Sequence, residues 1–215
     1  KRKWQEEGQG IPLTAQPAVL EAFLDSLPFS LTGAQERVLD EVLQDLRTEK
    51  PMSRFLQGDV GSGKTVVAAA ALLIAASNGY QGALMAPTEI LAEQHFMTIS
   101  RLLSADPAEE GEYTVSAKIG PTDSVVTIAL LVGSLSKKVK DGVHARIADG
   151  GVDIVIGTQT LVQSAIEIPR LALVVVDEQH RFGVMQRASL REKGQRPHLL
   201  AMSATPIPRS LALTI

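Results

Sequence analysis

Between residues 54 and 205, short apolar runs rich in β-branched residues alternate with segments of helical character, and this alternation leaves few folds open. The runs fall at 54–57, 83–85, 125–132, 153–156, 172–176 and 199–202. Most lack the polar alternation of a half-solvated strand, so they are expected to be buried on both faces, as in a parallel sheet. Helices are expected at 65–78, 89–103, 136–149 and 184–192 and from Pro208 onward, with Gly79 and Gly150 as C-terminal caps and Pro208 in a first turn. The expected fold class is α/β, a mostly parallel sheet with helices on both faces. Ahead of the sheet, Val38, Leu39, Val42, Leu43 and Leu46 recur at helical spacing and mark an amphipathic helix packed on the domain edge. The stretch 104–124 is polar and rich in Gly, Pro and acidic residues, and is expected to be an irregular connection. The division is thus an N-terminal segment, 1–48, and a main domain, 49–215.

A chain of 215 residues with 45% hydrophobic content can bury one substantial core. It has no cysteine and no run like a secretory signal, so it is expected inside the cell, in the cytoplasm. The apolar run 66–76 is too short to span a bilayer, and no membrane partner is expected. A net charge of −3 argues against coating nucleic acid by bulk attraction, and 4% aromatics disfavours a platform of stacked bases. Any nucleic-acid grip is expected on the backbone. The chain opens on Lys1 rather than Met and stops in the apolar run 211–215, which reads as a piece of a longer protein; a monomer is expected.

Open parallel sheets place ligands outside the carboxyl ends of their strands. After the first run comes Gly58-Asp59-Val60-Gly61-Ser62-Gly63-Lys64-Thr65, a full GxxxxGK[ST] match between a strand and a helix. Its glycines let backbone N–H groups turn inward around phosphates, at the positive end of the helix that follows. Lys64 is expected to reach the β- and γ-phosphates of ATP, and the Thr65 hydroxyl to bind Mg²⁺. After the fifth run comes Asp177-Glu178. A carboxylate ending a buried strand is costly unless an ion awaits it, so Asp177 reads as a second Mg²⁺ anchor and Glu178 as the group that orients or deprotonates water. After the sixth run come Ser203, Ala204 and Thr205, which alone would be a hydroxyl-rich turn.

GKT, DEQH and SAT in that order resemble the motor domain of superfamily 2 helicases, which implies a RecA-like P-loop NTPase domain. By that resemblance Gln179, His180, Ser203, Ala204 and Thr205 couple nucleotide state to motion. The string 86–95 resembles motif Ia and 157–161 motif Ib, which implies DNA-backbone contacts at Pro87, Thr88, Thr158 and Gln159, with Gly133 and Ser134 as a third. The structural alternative is an N-cap for Thr88 and an ordinary helix-face residue for His95. Residues 27–35 resemble the Q motif, which would put Phe29 on adenine and Gln35 on its edge, although Thr32 to Gln35 also reads as a capping box. Lys137, Lys138 and Lys140 read as a solvated helix face. The strings DEQHRFGV, GDVGSGKT, APTEILAEQH and MSATPIPRSLALT together resemble the RecG family of bacterial branched-DNA translocases, with the transcription-repair coupling factors second. Gln159 departs from the histidine expected in motif Ib, which unsettles any side-chain role there. The resemblance implies ATP-driven movement on duplex or branched DNA. It also implies a wedge domain before Lys1 and a second RecA-like domain, with its arginine finger, after Ile215.

Overall fold

A computed structural model of the chain describes residues 10–104, 113–118, 125–158, 160–163, 166–177 and 196–204. Its centre is helix α3 (Lys64–Ser77), in which every residue from Val66 to Ala76 is buried. A helix apolar all round has to be covered on every side. The sheet lies under it, and helices α1 (Pro17–Ser26), α2 (Gly33–Leu46) and α4 (Glu89–Leu102) pack around the rest.

The sheet has seven strands in the order β1-β7-β6-β2-β5-β4-β3: β1 (Ser53–Gln57), β2 (Gln81–Met85), β3 (Thr114–Lys118), β4 (Val125–Leu131), β5 (Ile154–Gly157), β6 (Leu171–Asp177) and β7 (His198–Ser203). Every neighbouring pair is parallel except β3 and β4. The β1 to β2 crossover carries α3, and α4 packs beside α3 while also touching β4 and β5. The returns from β4 to β5 and from β5 to β6 step the opposite way, so right-handed crossovers put α5 (Lys137–Ala148) and α6 (Thr160–Gln163) on the other face.

Three elements differ from the sequence expectation, one of them the four-residue helix α6, which it did not contain. Strand β3 stands inside the stretch expected to be irregular, pairing antiparallel with β4 from Thr114 opposite Ala129 to Lys118 opposite Val125. It is an edge strand whose buried positions include Thr114 and Ser116, and the Ser116 hydroxyl lies 3.4 Å from that of Thr127 across the pair. Short hydroxyl side chains pair across strands as well as alkyl ones do, so its polar composition concealed it. Helix α1 is the third. Pro17 occupies its first turn, and Val19 and Phe23, one turn apart, are buried. The helices expected at 184–192 and after Pro208 lie outside the described residues.

The N-terminal segment shares the main core. Leu13, Val19, Phe23, Leu39, Val42, Leu43 and Leu46 belong to the same buried cluster as the sheet. Asn78, just beyond α3, accepts a bond from Thr14 N at 3.2 Å and donates to Thr14 O at 2.9 Å. Gly79 and Gly150 take the positive φ values, +77° and +80°, that end α3 and α5.

Two buried polar side chains fasten the amino edge of the sheet. Gln81 donates to Ile147 O and Val152 O at 2.9 and 2.8 Å and accepts from Arg170 N at 3.0 Å. His198, fully buried, accepts from Met52 N at Nδ1 (3.0 Å) and donates from Nε2 to Ile11 O (2.7 Å). Burial pushes the His198 pKa below the ordinary value of 6.5 against the opposing pull of the Ile11 carbonyl. The unfolded chain therefore holds that proton more readily. Its contribution to stability is complete above the unfolded pKa of 6.5 and is lost as the pH falls through that value toward the folded pKa. Urea melts should show a lower midpoint at about pH 5.5 than at about pH 7.5, with His198→Gln less stable at the higher pH but flatter between the two. A variant keeping the whole wild-type slope would assign the effect to other groups.

Candidate active site

The P-loop leaves β1 at Gln57 and turns through Gly61 (φ +80°) and Gly63 (φ +82°) into α3. Gly63 stands at the N-cap and no side chain caps this terminus, so the first N–H groups of α3 face the loop. At two of the loop's glycines an added Cβ would press on a neighbouring side chain, which would have to move. A Cβ on Gly58 would meet Ser62 Oγ at 2.6 Å, and one on Gly63 would meet Gln35 Nε2 at 2.1 Å. Lys64 curls back onto its own loop, with Nζ donating to Gly58 O at 2.7 Å and Asp59 O at 2.8 Å. Gly58 N donates to Ser203 O at 3.3 Å, tying the loop to the end of β7. Val60 at the tip is 89% exposed.

Asp177 ends β6, in register with Met202 of β7. Its Oδ2 lies 2.7 Å from His95 Nε2, and the two side chains are 17% and 12% exposed. An ionised carboxylate can only accept, so Nε2 carries the proton. Lys64, Thr65, Pro87, Thr88, His95, Asp177, Met202 and Ala204 line one cleft of about 450 Å³, together with Val60, Gly61 and Leu91. One wall presents a helix N-terminus, an ammonium and a hydroxyl, and Asp177 presents a carboxylate. That set suits a polyphosphate and the divalent cation bound to it. Mg²⁺ is commonly held by one or two carboxylates with phosphate oxygens and water, so the donor set of Thr65 and Asp177 fits it without a dense acidic cage.

The other expected residues are placed as follows. Gln35 forms the capping box with Thr32, its Oε1 accepting from Thr32 N at 2.8 Å and its N–H bonding Thr32 Oγ1 at 3.3 Å. Its Nε2 also donates to Ser62 O at 2.8 Å, so the same side chain caps α2 and buttresses the P-loop. Phe29 is 46% exposed and does not line the cleft. Ser203 is buried, and Ala204 lines the cleft. Thr88 caps α4, accepting from Leu91 N at 3.3 Å. Gly133 and Ser134 are exposed and joined to the same helix: Ser134 N donates to Glu89 Oε2 at 3.3 Å, and a Cβ on Gly133 would meet Glu89 Oε1 at 2.6 Å. Lys140, read as solvated, donates to Gly133 O. Thr158 is 8% exposed, with its hydroxyl 3.1 Å from that of Thr160. Glu178, Gln159, Gln179, His180 and Thr205 lie outside the described residues.

From the sequence His95 reads as an ordinary helix-face residue and Glu89 has no role of its own. A signal existed, because Thr88, Leu91 and His95 are spaced by three and four and share one face of α4.

The DEAD/DEAH box helicase family model matches residues 32–214. The chain belongs to that family. It is 46% identical over 211 residues to the ATP-dependent DNA helicase RecG of Synechocystis, covering 98% of this chain and 23% of that one. To RecG of Bacillus subtilis it is 48% identical, covering 98% and 28%. The chain thus spans about a quarter of the length of these relatives. A structure of RecG bound to a three-way DNA junction matches with a TM-score of 0.77 at 41% identity, over 99% of this chain and 26% of that one. The bacteriophage T4 UvsW helicase, at 16% identity and TM-score 0.59 over 86% of this chain and 59% of that one, shares the fold. The helicase fold is thus the RecA-like arrangement of a mostly parallel sheet.

The two roles of Gln35 can be separated. Gln35→Ala should cost about 1 kcal/mol in a urea melt by losing its side-chain bonds to Thr32 N and Ser62 O, a usual net value for a lost hydrogen bond, while the Thr32 cap itself stays. Gln35→Glu keeps the acceptor for Thr32 N but loses the donor to Ser62, so it should melt near wild type while weakening calorimetric ADP binding several-fold. Equal ADP affinity in both variants and wild type would leave Gln35 a cap alone.

Proposed function

We propose that this chain is the first motor domain of an ATP-driven translocase that moves along duplex DNA and remodels branched DNA such as stalled forks and Holliday junctions. The observation that carries the reading is the convergence of the bare α3 terminus, Lys64, Thr65 and Asp177 on one cleft, in a chain so similar to RecG. Backbone N–H groups from Asp59 to Gly63 cradle the phosphates. Lys64 exchanges the Gly58 and Asp59 carbonyls for the terminal phosphates, a trade of neutral acceptors for charged ones. Thr65 and Asp177 would hold Mg²⁺, which would supply charge neutralisation for the phosphates. Glu178 orients or deprotonates the attacking water. Gln35, if it reads adenine as the Q motif implies, gives up one of its present bonds, and Phe29 supplies a stacking face.

DNA contact is assigned to Pro87, Thr88, Gly133, Ser134, Thr158 and Gln159. A backbone grip through helix termini and hydroxyls agrees with the acidic net charge of −3. Gln179, His180, Ser203, Ala204 and Thr205 relay the nucleotide state. The Gly58 to Ser203 bond is one physical path for that relay. The partners proposed are a wedge domain and a second RecA-like domain of the same protein, which supplies the arginine finger, in a cytoplasmic monomer. Among the described residues no helix is long and apolar enough to cross a membrane.

Calorimetric titration tests the nucleotide assignment: Lys64→Ala should weaken ADP binding at least tenfold, and equal affinity in wild type and variant would overturn it. Hydrolysis tests the motor. In a chain carrying the second domain, three-way-junction DNA should stimulate ATP turnover, and Glu178→Gln should keep ATP binding while lowering turnover by roughly 10²- to 10⁴-fold, the usual contribution of a positioned base. Turnover within a few-fold of wild type would remove Glu178 from that role. Turnover indifferent to DNA would overturn the translocase.

A further inference from the structure

His95 sits on α4, outside the P-loop and outside the strand ends, yet its Nε2 meets Asp177 Oδ2 at 2.7 Å. The setting separates this contact from a solvated ion pair, which contributes little. Both side chains are largely withdrawn from water, at 12% and 17% exposure, and both come from rigid elements. Asp177 is fixed by β6 and its pairing to β7. Helix α4 is fixed by the Thr88 cap, by Ala92, Phe96 and Ile99 buried beneath it, and by the Glu89 bond to Ser134. A donor held this way fixes the rotation of the carboxylate and takes one oxygen, while Oδ1, without a partner among the described residues, stays available to a cation.

Resting on the reading of Asp177 as the Mg²⁺ anchor, we propose that His95 is a positioning residue that pre-orients this carboxylate for the cation. Groups that hydrogen-bond a metal-binding carboxylate typically change metal affinity by 10- to 100-fold when removed. The effect of His95 therefore falls on the part of nucleotide affinity that Mg²⁺ adds, and spares the part supplied by the P-loop. A second consequence is geometric. The helix that would touch the DNA backbone through Thr88 also holds the Mg²⁺ anchor through a residue two turns further on, so a shift of α4 on DNA reaches the metal site directly.

The opposite arrangement is a histidine that plugs the cation position, and the two differ in sign. A non-hydrolysable ATP analogue is titrated calorimetrically into the chain, with Mg²⁺ and with a chelator. Wild type should bind more tightly with Mg²⁺. His95→Leu, which keeps bulk and loses the donor, should lose at least about tenfold of that Mg²⁺-dependent gain, with chelator-condition affinity unchanged. His95→Gln, which keeps a donor at similar reach, should recover most of it, and it also serves if the leucine variant fails to fold. A Mg²⁺-dependent gain that is unchanged or larger in His95→Leu overturns the positioning role alone, as does one lost equally in His95→Gln. A wild-type chain that binds no analogue under either condition overturns the nucleotide reading and the proposal with it.

Discussion

The arrangement depends on the complete burial of α3. Its five larger aliphatic side chains, Val66, Val67, Leu72, Leu73 and Ile74, are each worth roughly 1.5 to 3 kcal/mol when removed from water. The helix cannot slide or turn without exposing some of them. Its only polar stretch at the amino end is Lys64 and Thr65, which are thereby held at the mouth of the cleft. A phosphate site built on backbone N–H groups needs such an immovable support, because a shift of about 1 Å is enough to spoil positioning.

The two ends of the sheet are built from different kinds of bonds. At the amino edge, Gln81 and His198 are buried and bonded at both polar ends to backbone groups from distant segments. Asp153 belongs with them: burial raises its pKa while a bond from Thr127 N opposes the rise. These contacts have no competitor. At the carboxyl edge, Lys64 rests on loop carbonyls, His95 on Asp177, and Glu89 on Ser134 N. Each is a bond that a phosphate or a cation can challenge. The fold therefore concentrates its exchangeable polar contacts where chemistry is proposed and its permanent ones at the opposite end.

What the sequence disclosed follows the same division. The central strands were legible because burial on both faces demands uninterrupted apolar runs, as in Leu173 to Val176. The P-loop was legible because its glycines are dictated by backbone geometry, seen at Gly61 and Gly63, and leave a fixed spacing in the chain. Strand β3 was hidden because Thr114 and Ser116 are buried without being apolar. Helix α1 was hidden because two buried side chains, Val19 and Phe23, make too brief a pattern. His95 escaped because its partner lies 82 residues away, a separation no local pattern encodes. For Thr32 and Gln35 the competing readings were not exclusive, since one amide caps a helix and supports the P-loop together.

Among the described residues β1, which leads into the P-loop, is the terminal strand of the sheet, and edge strands are where a strand from another molecule can add. Arg54 on that strand is ion-paired at 2.5 Å to both Glu41 and Asp45 of α2. Exposed pairs of this kind add little to stability, but a tethered cation on an edge strand is a common means of refusing intruders. The N-terminal helices thus do more than fill the core. Through Arg54 they also tie α2 to the strand that leads into the P-loop.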